Sequence, residues 1–303
     1  MLNALWLTQC ALVTHGRFWT PIRRPVCYPD SVTESLPDYR NLDLSGEAST
    51  AAGRMEARAQ EPASVAMFDT LIAPLLGTRV RDVLDIGCGT SSLARRIGTA
   101  LPEARVRAVD KSAGMLKVAA HLAREEGLSR IDFQPWDVVE ESSFPFGTGT
   151  FDLIVSSVMT VYLSDEEVVD LIGRLVRRLK PGGMLAFVEQ DLMSDAVNDA
   201  SGMFIKIVEK DKRAIKPTMT LGLGQVMREA GLRLLPRISY LWTDDRYGPY
   251  TRELLERFAD SASGRGTVSA AEAGVFKDLL RRQAEEGCFY YGLVYHRIAG
   301  TMS

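Results

Sequence analysis

The sequence predicts an α/β fold built on an open, mostly parallel, doubly wound sheet, and three observations carry that prediction. From about residue 80 onward, short apolar runs alternate with amphipathic stretches, the pattern of strands joined by crossover helices. The apolar runs have the length and composition of strands covered on both faces. A glycine-rich turn, Val83-Leu-Asp-Ile-Gly-Cys-Gly-Thr90, stands where the first strand passes into the first helix of the alternation.

In order, residues 80–86 (VRDVLDI) are the first candidate strand. A helix over 91–101 follows, with Leu93, Ile97 and Leu101 at helical spacing. Residues 106–110 are a second strand, and 113–127 a helix that Gly127 stops. A short third strand covers 131–134, and the turn-rich Gly147-Thr148-Gly149 leads into a fourth at 151–156 (FDLIVS). A helix over 165–179 takes Ser164 or Asp165 as N-cap and stops at Lys180-Pro181-Gly182-Gly183, ahead of a fifth strand at 184–189. The rhythm then changes. A helix within 192–215 carries Met203, Phe204, Ile207 and Val208, and another spans 220–230, closed by Gly231. Residues 232–242 are strand-like, 250–286 read as two helices broken at 261–266, and 288–298 (CFYYGLVYHRI) is a long β-rich run. The expected organisation is an N-terminal extension over 1–40 and one domain over 41–303, with helical cap insertions at about 192–216 and 245–286.

Composition narrows the partners. The 303 residues are 46% hydrophobic and 25% charged, an ordinary globular balance. The net charge of −3 lacks the basic excess of a phosphate-binding surface, so no nucleic-acid partner is expected. Cys10, Cys27, Cys88 and Cys288 are scattered, with no metal-ligand spacing, so no metal site is expected. Reduced thiols fit a cytoplasmic location. No apolar run is long enough for a membrane span. Before Asp30 the chain holds Arg17, Arg23 and Arg24 and no acidic residue, a pattern shared by organelle-targeting segments and by loosely packed extended starts.

The chemistry concentrates around the glycine-rich turn. Gly87 and Gly89 let the backbone turn tightly and approach a ligand without Cβ clashes. Backbone N–H groups at the start of the next helix suit a ligand carboxylate. Asp85 can accept from an ammonium group or tie down the loop. Such a turn alone also serves dinucleotide-binding folds. The wider spacing adds to it. Asp110 ends the second strand, where a carboxylate can take both hydroxyls of a ribose; Lys111 lies beside it, Met115 can pack near an adenine, and Trp136-Asp137 follow the third strand.

In these residues the chain resembles the class I S-adenosylmethionine-dependent methyltransferases, above all the UbiE-like or type 11 small-molecule group. The resemblance covers about residues 60–235, with a weaker echo in the last strand. The family's cofactor loop, roughly D-x-G-C-G-T-G, is matched at Asp85, Gly87, Cys88, Gly89 and Thr90 and departed from at Ser91, where a third glycine is usual. The resemblance implies a Rossmann-like sheet of seven strands, mostly parallel with the last antiparallel, and S-adenosylmethionine as cofactor. It implies that Asp110 binds the ribose, Trp136 and Asp137 the adenine, and Ser156 the methionine end, with Lys111, Met115 and the loop residues completing the site. It also implies a helix near 52–60 that closes over the cofactor, with Arg54 and Met55 as lid candidates. A dinucleotide site lacks its third glycine here and leaves Lys-Pro-Gly-Gly unexplained.

A general base is needed only if the acceptor must lose a proton. His15, His121 and His296 all have bland structural readings. Glu189, Gln190 and Asp191 end the fifth strand, where active-site groups gather in open α/β sheets, and Tyr162 follows the fourth. Glu189, Gln190 and Tyr162 are thus the catalytic candidates. Arg54, Tyr162, Met203, Phe204 and Ile207 are the candidates for the acceptor pocket, although a helical apolar stripe equally suits a core seam. The expected function is methyl transfer from S-adenosylmethionine to a small, moderately hydrophobic metabolite. The alternatives are an enzyme of this fold that transfers no methyl, of cyclase or pericyclase type, and a non-catalytic cofactor-binding protein.

Overall fold

The structure, a computed structural model, describes residues 41–140, 144, 146–214 and 217–303; the side chains of 209–221 lie outside that description. So do the expectations for residues 1–40, with Cys10, His15 and Cys27.

Helices α1 (Leu42–Ser45), α2 (Ala48–Gln60) and α3 (Pro62–Leu71) precede the sheet. Glu61 is extended between α2 and α3 because it precedes Pro62, which then starts α3 with a preset φ. The alternating part follows as β1 (Asp82–Ile86), α4 (Ser92–Ala100), β2 (Arg105–Asp110), α5 (Ala113–Glu125), β3 (Ile131–Pro135), β4 (Phe151–Ser157), α6 (Asp165–Val176) and β5 (Leu179–Val197). Ser112 caps α5, and Ser164 with Glu167 forms a capping box on α6. Then come α7 (Met203–Ala214), α8 (Pro217–Glu229), β6 (Arg233–Leu234), β7 (Ile238–Asp244), α9 (Pro249–Gly264), α10 (Ala270–Glu285) and β8 (Tyr291–Thr301).

The sheet is Rossmann-like. Its order is β3-β2-β1-β4-β5-β8-β6, with β7 also paired to β8. β1 to β5 run parallel, and β8 runs antiparallel to β5, β6 and β7. Eight strands appear among the described residues where seven were expected. Residues 232–242 do not form one strand: the stretch divides around Pro236, which has no N–H to give a ladder, leaving β6 and β7 each paired to β8.

Both faces are covered, so successive strand residues enter different cores. Val83, Val106, Leu153, Val155 and Ala186 pack with residues of α3, α4, α9 and α10. Leu84, Ile86, Val109, Ile154, Leu185 and Phe187 pack with α6 and α8. At the N-terminal ends of β1 and β4, the Lys180 ammonium bridges Asp82 (2.7 Å) and Asp152 (3.0 Å), fixing the edge opposite the ligand-binding end.

Three boundaries differ from the expectation. β5 begins at Leu179, taking in Lys180-Pro-Gly-Gly, and continues to Val197, because β8 pairs with it as far as Val197↔Tyr291. The helix expected within 192–215 therefore starts only at Met203. The Ser261-Ala-Ser segment is the last turn of α9, and the break to α10 falls at 265–269.

Candidate active site

Asp85 is the penultimate residue of β1, between β2 and β4, paired with Ala108 on one side and Val155 on the other, and is buried. The turn that follows needs its glycines. Gly87 has φ +64° and Gly89 φ +52°. A Cβ on Gly87 would stand 2.5 Å from Met159 Cγ, and one on Gly89 2.7 Å from Met55 Sδ. Ser91 closes the turn at φ +64°, a left-handed conformation that suits the glycine usual there, and its buried hydroxyl has no partner among the described residues.

Asp110 holds this turn from β2. Its Oδ2 accepts from Gly89 N (2.8 Å) and its Oδ1 from Ser112 N (2.9 Å). Burial raises its pKa, and those amides oppose the rise. Burial alone dominates at Asp85, pushing its pKa to about 8, and Asp85 Oδ2 has no partner among the described residues. The Cys88 thiol, beside both carboxylates, is pushed well up by burial. Lys111 pairs with Asp137 at 2.9 Å, and Met115 is buried in the first turn of α5.

These groups converge on a cavity of about 180 Å³ at the C-terminal ends of β1, β2 and β4. Asp85, Gly87, Cys88, Gly89, Thr90, Asp110, Lys111, Met115, Trp136, Asp137 and Tyr162 line it. Trp136 is almost wholly buried: its Nε1 donates to Glu140 O (3.2 Å), and Phe144 packs edge-on at 4.6 Å. It is a buried, fixed wall of the cavity.

Ser156 is not brought to the cavity. It is fully buried and its hydroxyl donates to Ile86 O (3.1 Å), while Ser157, on the opposite face of the strand, lines the cavity. After it the chain turns at Val158, whose φ of +55° is strained for a β-branched residue. Glu189 holds that turn. Its Oε1 accepts from Met159 N (3.3 Å) and Thr160 N (3.2 Å). Burial pushes its pKa to about 7. Glu189 does not line the cavity, and Gln190 donates to the Tyr295 hydroxyl at 2.6 Å. Neither lines that cavity. His296 sits between Ser239 Oγ (2.8 Å from Nδ1) and Asp191 Oδ2 (3.8 Å from Nε2), and His121 is exposed on α5.

Helices α1 and α2 roof the cavity with Leu42, Met55 and Arg58. Asp43 caps α5, accepting from Ser112 Oγ (2.6 Å), Ala113 N (2.7 Å) and Gly114 N (3.1 Å). The hydroxyl bond from Ser112 leads in lowering its pKa. Glu56 pairs with Arg95 at 2.6 Å, and Arg96 donates to Ala59 O at 2.6 Å. Arg54 points the other way, to Glu253 on α9 at 3.5 Å. The cation that α2 turns to the cavity side is Arg58, which sequence reasoning missed; its place three residues after Met55, on the same helical face, was the available signal.

The described side chains of the first cap helix do not line the cavity either. Phe204 and Ile207 are buried in the core, Phe204 stacks on Phe276 at 6.4 Å, and Met203 packs against the same cluster. The helical stripe fills the seam with α9 and α10.

A family model described as "Methyltransferase domain" matches residues 83–183. These residues form a class I S-adenosylmethionine-dependent methyltransferase domain. Over 105 residues the chain is 34% identical to malonyl-[acyl-carrier protein] O-methyltransferase of Hahella chejuensis, covering 35% of each protein. Over 104 residues it is 35% identical to trans-aconitate 2-methyltransferase of Deinococcus radiodurans, covering 34% of this chain and 36% of that one. The matches thus span about a third of each relative's length. Among solved structures, geranyl diphosphate C-methyltransferase of Streptomyces coelicolor A3(2) is 16% identical, with 77% of each chain covered and a TM-score of 0.45.

The methyltransferase domain's own residues fit its cofactor, S-adenosylmethionine. The partnerless Asp85 Oδ2 is an acceptor awaiting a cationic donor, and Gly87 and Gly89 keep clear the space that Cβ atoms would fill. No helix among the described residues is long and apolar enough to cross a membrane.

Proposed function

We propose that the chain transfers the methyl group of S-adenosylmethionine to a small, moderately hydrophobic metabolite. The observation that carries this reading is the convergence of Asp85, Asp110 and the Lys111–Asp137 pair on one cavity at the C-terminal ends of the parallel strands. Asp110 lines the same cavity and can offer the ribose its carboxylate oxygens beside the backbone amides of Gly89, Ser112 and Lys111 that it already accepts. Asp137 and Lys111 stand at the adenine edge, Met115 beneath it, and Asp85 takes the ammonium of the methionine end. The bound cofactor supplies an electrophilic methyl; the protein positions the acceptor and excludes water. Residues 41–303 serve as one catalytic domain, with α7, α9 and α10 as its additions.

Calorimetry with S-adenosylhomocysteine tests the cofactor half. Asp110→Ala is expected to weaken binding by about 1.5–3 kcal/mol per charge-assisted bond lost. Unchanged affinity refutes the ribose role. Labelled S-adenosylmethionine with a metabolite extract tests the transfer itself, and absence of a labelled product across extracts counts against it.

A further inference from the structure

The roof over the cofactor cavity is not fastened evenly. Helix α2 is tied to α4 by the Glu56–Arg95 pair and by Arg96 on Ala59 O. Its far end and α3 wall a second cavity of about 60 Å³ that adjoins the first, lined by Met67, Phe68, Leu71 and Ile72. Helix α1 is a single turn that lends its Leu42 to the first cavity. Leu42 is buried and packs with Ala51, Ala52 and Met115, while Asp43, Leu44 and Ser45 are exposed. The polar fastening of α1 to α5 is the Asp43 carboxylate, which accepts from Ser112 Oγ, Ala113 N and Gly114 N. That approach needs a glycine on α5: a Cβ on Gly114 would stand 2.8 Å from Asp43 Oδ1 and 2.9 Å from Ala48 Cβ. Between α1 and α2, Gly46 is left-handed at φ +73°, with open space where its Cβ would stand.

We infer that α1 is a clasp over the cofactor, that Asp43 is its catch, and that Ser112 couples the closing of the clasp to Asp110. Asp43 is thus a positioning residue. The inference rests on the reading that places the cofactor in the first cavity, with its ribose on Asp110. Ser112 makes the link with one residue: its Oγ donates to Asp43 and its backbone N donates to Asp110 Oδ1. The clasp is held by one buried side chain and one exposed carboxylate, so its opening costs little and water takes the released carboxylate. Gly46 supplies the pivot. Leu42 packs on Met115, which puts the clasp over the nucleoside half of the cavity. Burial and, to a lesser degree, the charge of Asp43 work against ionised Asp110, a cost that ribose hydroxyls donating to Asp110 relieve. A bound cofactor therefore favours the closed clasp, and the closed clasp holds the cofactor tighter by the same factor.

The test uses the full chain and S-adenosylhomocysteine, with surface plasmon resonance to separate the two rates and hydrogen exchange to follow residues 42–52. Asp43→Ala is expected to speed dissociation about fivefold or more, with association unchanged or faster. Gly114→Ala is expected to do the same. Alanine is the better helix former, so this variant strengthens α5 while obstructing the docking of α1, and it decides the matter if Asp43→Ala does not fold. S-adenosylhomocysteine is expected to slow exchange in residues 42–52 of wild type, and to slow it less in both variants. Failure of wild type to bind S-adenosylhomocysteine removes the cofactor reading and this inference with it. Binding by wild type with wild-type dissociation from both variants overturns the clasp alone. So does a fall in association that matches the loss of affinity, since Asp43 then only shapes the pocket.

Discussion

Binding of the cofactor should expel a proton from Asp85. The carboxyl is buried and titrates at about 8 in the ligand-free protein, so at pH 7 about 0.9 of the molecules hold it neutral. An ammonium placed against the partnerless Oδ2 favours the charged form and lowers that pKa. Binding at pH 7 then releases close to one proton, and apparent affinity rises about tenfold per pH unit between 6 and 7, flattening above 8. The charge-assisted contact is worth about 1.5–3 kcal/mol, from which deprotonation at pH 7 takes about 1.4. Asp85→Asn, which keeps the side chain's shape, should therefore cost little at pH 7, about 0–1.6 kcal/mol, and the full amount near pH 9. The assay is calorimetry of S-adenosylhomocysteine in buffers of different ionisation enthalpy, which counts protons directly. Equal proton release by wild type and Asp85→Asn would refute the assignment, as would no release by either at pH 7.

Three further outcomes follow from the same geometry. Glu189 has its pKa raised from 4.5 to about 7, so its contribution to stability is complete below pH 4.5 and lost as pH rises through 7; by linkage the loss is about 3 kcal/mol. Urea titrations should show wild type losing ground against Glu189→Gln across that window, and parallel curves would contradict the burial argument. Ser91→Gly should stabilise the fold by roughly 0.5–1 kcal/mol by relieving left-handed strain, with cofactor affinity unchanged; a large loss of affinity would assign Ser91 a ligand contact. Gly87→Val should abolish S-adenosylhomocysteine binding, because its Cβ would meet Met159 Cγ at 2.5 Å; a variant that folds and binds normally moves the cofactor elsewhere.

The placement of the glycine-rich turn and its carboxylates was readable in the sequence because its signals are local. Asp85, Gly87, Gly89 and Asp110 each sit at a strand end, and a strand end is fixed by a few neighbouring residues. The errors arose where one residue's step changes the face presented. Ser156 and Ser157 differ only in which side of β4 they occupy, and Arg54 and Arg58 only in their angle around α2. The acceptor side was less readable because it depends on tertiary placement. Met203, Phe204 and Ile207 show an apolar stripe that suits a pocket as well as a core, and only the packing of α9 and α10 against it decides for the core. Glu189 stood at the expected strand end, but the turn it would serve, bent at Val158, has no sequence signature.

The roofing segment lies wholly outside residues 83–183, yet it supplies Leu42, Met55 and Arg58 to the first cavity and Met67 to Ile72 to the second. Its fastenings run to helices and to the sheet alike: Asp43 to the start of α5, Glu56 to Arg95, Ala59 to Arg96, Arg54 to Glu253, Glu61 to Arg246, Ser64 to Trp242 of β7 and Leu71 to Arg297 of β8. The glycine-rich turn and the segment that roofs both cavities are therefore separate stretches of chain, held together by buried bonds to the sheet as well as by contacts between helices. A change of sequence in residues 42–72 reshapes the walls of both cavities without touching the turn, as long as Ser64, Leu71 and Glu61 keep their partners beside the partners of Arg95, Arg96 and Ser112.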